Sequence, residues 1–352
     1  MTKSTRIIAV CCVCMSTLLL DACKKKEPEP EYKDYMTGAL KHNIPGYLYK
    51  DRSYTFTVSG ITSPTEEEGV AYSWSANEFA PGSEEGTVYT CLSPVQTGTY
   101  SITVTASCQE YYDTQVTVSV IVIDTLYEAC LTDIAAGMDA IMDPRDQHAY
   151  QTRTYGPLEW FVQNLNWAGA GNPYAQTEAL SAPYGRLYSW NEATGGRAAT
   201  GLGQGTQGVC PPGWSVPTNE DWVTLAIEIN GGAPLDFFDS WDHIADPLCV
   251  YAKINDVYVW PYSPRNTKSN KAGWNGLPGG NGTNYGKNYG NLGNYGFWLS
   301  SSEADADNGY YRYIHYDFDQ FPYHATNKDT FSASVRCVRL VQEPQEPQEP
   351  EK

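Results

Sequence analysis

Five histidines, His42, His148, His243, His315 and His324, are scattered through the 352-residue chain. None falls in HExxH or another metal-binding spacing, so surface imidazoles are the simplest reading, although His315 and His324 flank a strand turn. Acidic residues abound, yet no pair stands out as the acid and base of a hydrolase. One cluster does offer metal chemistry. EADADNG (303–309) gathers Glu303, Asp305, Asp307 and Asn308, hard oxygen donors suited to Ca²⁺. It lacks the loop spacing and distal Glu of an EF-hand, so a solvated acidic turn competes with the calcium reading. No other cofactor is expected.

The recognition chemistry is richer. Trp260, Tyr262, Trp274, Asn275, Tyr285, Tyr289 and Tyr295 lie in or beside a Gly/Asn/Tyr-rich segment, 262–296. Aromatic faces and amides together suit a saccharide or a peptide, displayed on a loop held by a rigid scaffold. The competing reading is that this segment folds back as packing.

Ten cysteines mark the compartment. Lys3 and Arg6 precede an apolar run from Ile7 to Leu20, then Leu20-Asp21-Ala22-Cys23, the order of an export signal. The run is short for a membrane span of about 20 residues. The small residue before Cys23 resembles a bacterial lipobox, so residues 1–22 are expected to be removed and Cys23 lipidated. Asp21 departs from that pattern. Residues 23–34, beginning CKKKEPEPE, form a charged tether. Cys11, Cys12 and Cys14 would leave with the signal. Cys91, Cys108, Cys130, Cys210, Cys249 and Cys337 remain, none in CxxC spacing, and disulfides are their default in an oxidising compartment. Six cysteines leave many pairings open.

Composition narrows the function classes. A net charge of −18 argues against nucleic acid as partner. Aromatics are 13% of residues, with 27 Tyr, and charged residues only 18%, a balance that favours strands and ordered loops.

The elements follow from periodicity. YTFTVSG, VAYSWSA, GTVYTCL, GTYSITVTASC and TQVTVSVIVID are strand-like runs split by turn-rich segments, so residues 35–124 read as an all-β sandwich. It is similar to the immunoglobulin-like or PKD-type modules of bacterial surface proteins, which usually act as spacers. Asp124-Thr125-Leu126 resembles an O-glycosylation acceptor of Bacteroidetes. Residues 143–167 read as two strands joined at Gly156-Pro157. Trp222, Leu225, Ala226 and Ile229 place one apolar face on a helix, with Thr218 and Asp221 as a capping box and Gly231-Gly232 as its stop. GFWLSSSE (296–303), GYYRYIHYDF (309–318) and FSASVRCVRL (331–340) are strand-like. One long helix amid strands suggests α+β for residues 127–341. QEPQEPQEPEK (342–352) has no core-forming residues and reads as a disordered spacer.

DPRDQHAYQT, LEWFVQNLNW, GRLYSWNEA, VCPPGWSVPTNEDW, NGLPGG, FWLSSSE and SVRCVR follow the order found in the Fibrobacter succinogenes major paralogous domain. The resemblance spans most of 143–340, with Gln147 in place of a usual Gly. It implies a C-type-lectin-like scaffold, a Cys210–Cys337 bridge, framework roles for Trp160, Trp190, Trp214, Trp222 and Trp298, and a cell-surface lipoprotein. Cys91–Cys108 is the next expected pair, and Cys130–Cys249 follows by elimination. PGWSVPTNEDW also resembles a segment of formylglycine-generating enzymes, but neither reactive cysteine of those enzymes has a match. The expectation is therefore a non-catalytic adhesin or binding protein displayed on the outer membrane. It would recognise glycan or extracellular protein, with its membrane contact through the lipid anchor. A structural subunit of a fimbrial or envelope assembly is the alternative.

Overall fold

The computed structural model describes residues 32–341; Cys23, the signal segment and the 342–352 tail lie outside them. Strand accounts for 40% of the described residues and helix for only 12%. The α+β, C-type-lectin-like expectation is thereby corrected to a mostly-β protein with several small sheets. The reason is local. Outside Asn219–Ile229 the apolar residues do not recur at helical spacing, and residues such as Asn284, Tyr285 and Asn291 adopt positive φ, which interrupts a helix.

Two antiparallel-rich sheets make the N-terminal module. Strand Thr37–His42 lies beside Ser53–Ser63, then Val88–Leu92, then Ala80–Glu85. In the second sheet Tyr47–Tyr49, Thr114–Ile123, Gly98–Ser107 and Ala71–Ser75 are neighbours. Alternation puts Phe56, Val58, Tyr89, Ile102, Val104, Val120 and Val122 into one buried cluster between them. The chain then passes directly into the second unit. Ile123, Tyr127 and Cys130 belong to the same core as Trp160, Trp222 and Trp274.

That second unit closes on itself. Ala149–Tyr155 and Leu158–Phe161 form a hairpin around Gly156, whose φ of 56° suits the turn. The last strand, Val338–Leu340, pairs with Leu158–Trp160. Thr218 Oγ1 accepts from Asp221 N at 3.2 Å while Asp221 Oδ2 accepts from Thr218 N at 2.9 Å, the reciprocal cap read from the sequence. The helix buries Trp222, Leu225 and Ala226. Three further antiparallel strands, Tyr295–Glu303, Asn308–His315 and Tyr323–Asn327, form the sheet that matters most below.

Cys210 and Cys337 form a disulfide across 127 residues of sequence. The other two expected pairs are corrected: Cys91, Cys108, Cys130 and Cys249 are free thiols. Cys91 points into the sandwich core while Cys108 stays half-exposed, its thiol donating to Glu68 O at 3.7 Å. Cys130 and Cys249 are buried at separate positions of the larger core. Burial pushes the Cys91 thiol up to about 11 and Cys130 up to about 12, so both stay protonated and inert. Among the described residues no helix is long and apolar enough to cross a membrane.

Candidate functional site

The aromatic candidates divide into two groups. Trp260, Trp274 and Asn275 are essentially inaccessible and cannot meet a ligand. Trp260 Nε1 donates to Gly276 O at 3.0 Å. Trp274 packs against Trp298 at 4.9 Å and under the Arg336 guanidinium at 3.8 Å. Asn275 is a clamp: its Nδ2 donates to Ala135 O at 2.7 Å and its Oδ1 accepts from Ala135 N at 2.9 Å. For these three the fold-back reading is right. The 262–296 segment is anchored by the same large side chains that make its composition look like a binding loop. Tyr262 and Tyr285 project outward, and Tyr289 and Tyr295 are half-buried.

The calcium expectation at Glu303, Asp305, Asp307 and Asn308 is also corrected. No cluster of metal-ligating side chains occurs among the described residues. Lys328 supplies the positive charge there instead. Its Nζ donates to Glu303 Oε2 at 2.6 Å, to Asp305 O at 2.9 Å and to Ala306 O at 2.8 Å. Asp305 meanwhile accepts from the backbone N–H groups of Asp307 and Asn308, closing the turn. The Asn308 side-chain amide, which also donates to Asp305, then these backbone hydrogen bonds and the Lys328 charge hold the Asp305 carboxyl below its usual range. His315 and His324 do not form a pair: His315 stacks on Tyr295 at 4.5 Å, and His324 Nδ1 lies 2.6 Å from Ala325 O.

A different set of aromatics is gathered by the three-stranded sheet. Cross-strand register sets Tyr295 opposite His315, Phe297 opposite Tyr313 and Leu299 opposite Tyr311. Alternation therefore puts Tyr311, Tyr313 and His315 on one face, with Arg312 and Ile314 buried on the other. Tyr295 lies 5.4 Å from Phe297, Phe297 5.9 Å from Tyr313, Tyr313 6.0 Å from Tyr311, and Tyr311 4.9 Å from Phe331. The result is a row in which the half-buried rings of Tyr295, Tyr313, Tyr311 and Phe331 are joined by the buried Phe297 and fixed from behind by the core around Tyr150, Phe161 and Val335. Burial holds the Tyr311 hydroxyl up at about 12, with Tyr313 adding to it, so it is a neutral donor. Only Tyr295 of this row was among the sequence candidates. The signal for the rest was the period-two pattern of YRYIH (311–315), which separates Tyr311, Tyr313 and His315 from Arg312 and Ile314.

One residue past Phe331, Ser332 enters a cleft of about 190 Å³ shared with Tyr285, Asn172, Ser189, Glu192 and Asp329. Three short elements build it. Ser189 and Glu192 cap the helix Trp190–Thr194, Ser332–Ala333 pairs with Tyr188–Ser189, and Tyr285 sits at the tip between Asn281–Thr283 and Asn288–Gly290. Tyr289 stands behind Gly286, ring to ring with Tyr174 at 5.4 Å, its hydroxyl raised by burial and by the nearby Glu192 charge. Two larger clefts hold polar groups that already have partners. In one of about 630 Å³, Arg339 is paired with Glu159 and stacked on Trp214. In the other, of about 620 Å³, Asp319 accepts from His243 and from Asp246 N, and Asp246 accepts from Thr267 and Ser269. In the small cleft Glu192 and Asp329 each accept one neutral hydrogen bond and pair with no cation among the described residues.

Fold and site together define a mostly-β, disulfide-closed domain that presents aromatic rings and a polar notch on a rigid sheet. Residues 154–339 match the Fibrobacter succinogenes major domain, and the chain belongs to that family. The matched span holds the disulfide, the capped helix, the aromatic row and the cleft. Among curated proteins none matches the chain.

Proposed function

We propose that this protein is a non-catalytic binding protein, anchored at the bacterial surface through Cys23, and that its ligand is a glycan. The observation that carries the reading is the row Tyr295, Phe297, Tyr313, Tyr311 and Phe331, which ends beside the cleft at Ser332. Sugar rings offer flat C–H faces and hydroxyl edges. A row of fixed aromatic rings answers the faces, and the neutral tyrosine hydroxyls and cleft amide answer the edges. The immunoglobulin-like reading of residues 35–124 makes that module the stalk. The runner-up is a subunit of a surface assembly, supported by the exposed Val257, Tyr258 and Tyr262 near the junction of the two units.

Array binding of the full-length protein against glycans and matrix proteins tests this reading. Saturable glycan binding is expected, weakened about tenfold by Tyr313→Ala, which corresponds to ~1.4 kcal/mol. Binding to matrix protein alone, or glycan binding indifferent to Tyr313→Ala, would overturn the assignment of the row.

A further inference from the structure

The small cleft carries more specificity than the row beside it. Glu192 and Asp329 both line it, and neither forms an ion pair among the described residues. Each is instead fixed in place by one neutral donor. Glu192 Oε2 accepts from Ser189 N at 2.8 Å, and Asp329 Oδ1 accepts from Asn191 Nδ2 at 2.6 Å. The basic neighbour, Lys328, is turned away and committed to Glu303. Two oriented carboxylates therefore face the cleft without a cation.

A second, independent feature points at a ligand. Ser332 is only 7% exposed, yet its hydroxyl makes no hydrogen bond among the described residues, and it borders the cleft. The rest of the side chain is buried, so the cleft is where its hydroxyl can meet a partner. The site is also shaped to keep that hydroxyl in place. Gly282 pairs with Ser332, and a Cβ there would lie 2.2 Å from Ser332 Oγ. Opposite, Tyr285 offers an exposed ring and Asn172 an amide without side-chain partners.

We infer that this cleft selects an amino sugar, its ammonium between Glu192 and Asp329, its ring against Tyr285 and a hydroxyl on Ser332. The inference rests on the glycan reading above and deepens it. An ammonium is favoured over a neutral hydroxyl or an acetamide because the two carboxylates lack a counter-charge, and charge-assisted hydrogen bonds are roughly twice as strong as neutral ones. A sugar is favoured over a lysine side chain because Ser332 and the Asn172 amide line the cleft beside the two carboxylates and can bond ring hydroxyls, which a lysine stem does not carry.

The test uses titration calorimetry on the full-length protein with three probes: a β-1,4-linked glucosamine hexamer, its fully N-acetylated counterpart, and a lysine-rich peptide of equal charge. The glucosamine hexamer is expected to bind at least about tenfold more tightly than the acetylated one. Asp329→Asn or Glu192→Gln, each of which keeps the neutral hydrogen bond, should erase that difference. Tyr285→Ala should weaken both sugars. Equal binding of the two hexamers would overturn the ammonium inference and leave the glycan reading standing. Binding of the peptide in preference to the hexamer would replace the sugar with a protein ligand. Silence of every probe at this cleft, with other glycans still bound in a Tyr313-dependent manner, would overturn the inference alone; silence of all glycans would overturn both.

Discussion

Lys328 shows how a single side chain decides the chemistry of a cluster. Glu303, Asp305 and their neighbours have the donor atoms of a calcium site, but the ammonium of Lys328, also 4.5 Å from the Trp190 ring, is already seated among them. Arg336 does related work deeper in the fold, with its Nε donating to Asn164 Oδ1 at 3.0 Å and its Nη2 to Asn275 O at 2.8 Å. Long loops are pinned here by cationic side chains on carbonyl oxygens. Removing such a pin leaves buried acceptors with no partner. Lys328→Met is therefore expected to cost about 2–3 kcal/mol, less than breaking a fully buried pair because Glu303 is partly solvated. Chemical denaturation measures that loss. Millimolar calcium should leave the melting temperature of the unsubstituted protein unchanged, and a calcium-dependent rise would show that the cluster takes the ion after all.

At the scale of elements, the Cys210–Cys337 bridge ties the Pro211-Pro212-Gly213 turn to the terminal strand that pairs with the first hairpin. A loop of this length is expected to contribute roughly 4–5 kcal/mol, and measured losses for native bridges run about 2–5 kcal/mol. Replacing both cysteines with serine should lower stability by that amount. Alkylation of the native protein should label Cys108 while sparing Cys91, Cys130 and Cys249 until unfolding; early labelling of Cys249 would contradict its burial. The bridge, the Thr218 cap and the Tyr155–Leu158 hairpin were legible because each rests on local pattern or on motifs in a known order. Trp260 and Trp274 were not. Their surroundings are Gly/Asn-rich with no period, and what buries Trp274 comes from far along the chain: Trp298, Phe321 and the Arg336 guanidinium. The aromatic row was legible in principle. Its alternation is plain in YRYIH, but neighbouring Tyr310 and Tyr316 blur it into a uniformly aromatic run.

For the whole molecule, the question is whether the N-terminal module swings freely or moves with the C-terminal domain. The element pattern reads as two domains, 35–124 and 127–341, and the core argues against their independence. Ile123 lies within the larger buried cluster, and Tyr47, Tyr49 and Ile121 pack against it. Tyr49 Oη donates to Glu178 O at 2.9 Å. From the other side, the hairpin Lys253–Ile254/Val257–Tyr258 reaches across so that Asn255 Nδ2 donates to Val122 O at 2.9 Å and to Gly98 O at 3.3 Å. Shared apolar burial makes unfolding cooperative across a boundary, because neither side keeps its core when the other opens. Calorimetry of the intact protein should therefore show one transition, with calorimetric and van't Hoff enthalpies in agreement. Asn255→Gly isolates the contribution of the amide, since Asn255 has a φ of 46° that glycine adopts without strain. It should lower that single transition by the equivalent of about 1–2 kcal/mol for the two hydrogen bonds lost. If the trace splits into two transitions, with Asn255→Gly leaving both in place, the modules are uncoupled. A single shifted transition means that the aromatic row is held at a fixed orientation to the N-terminal module.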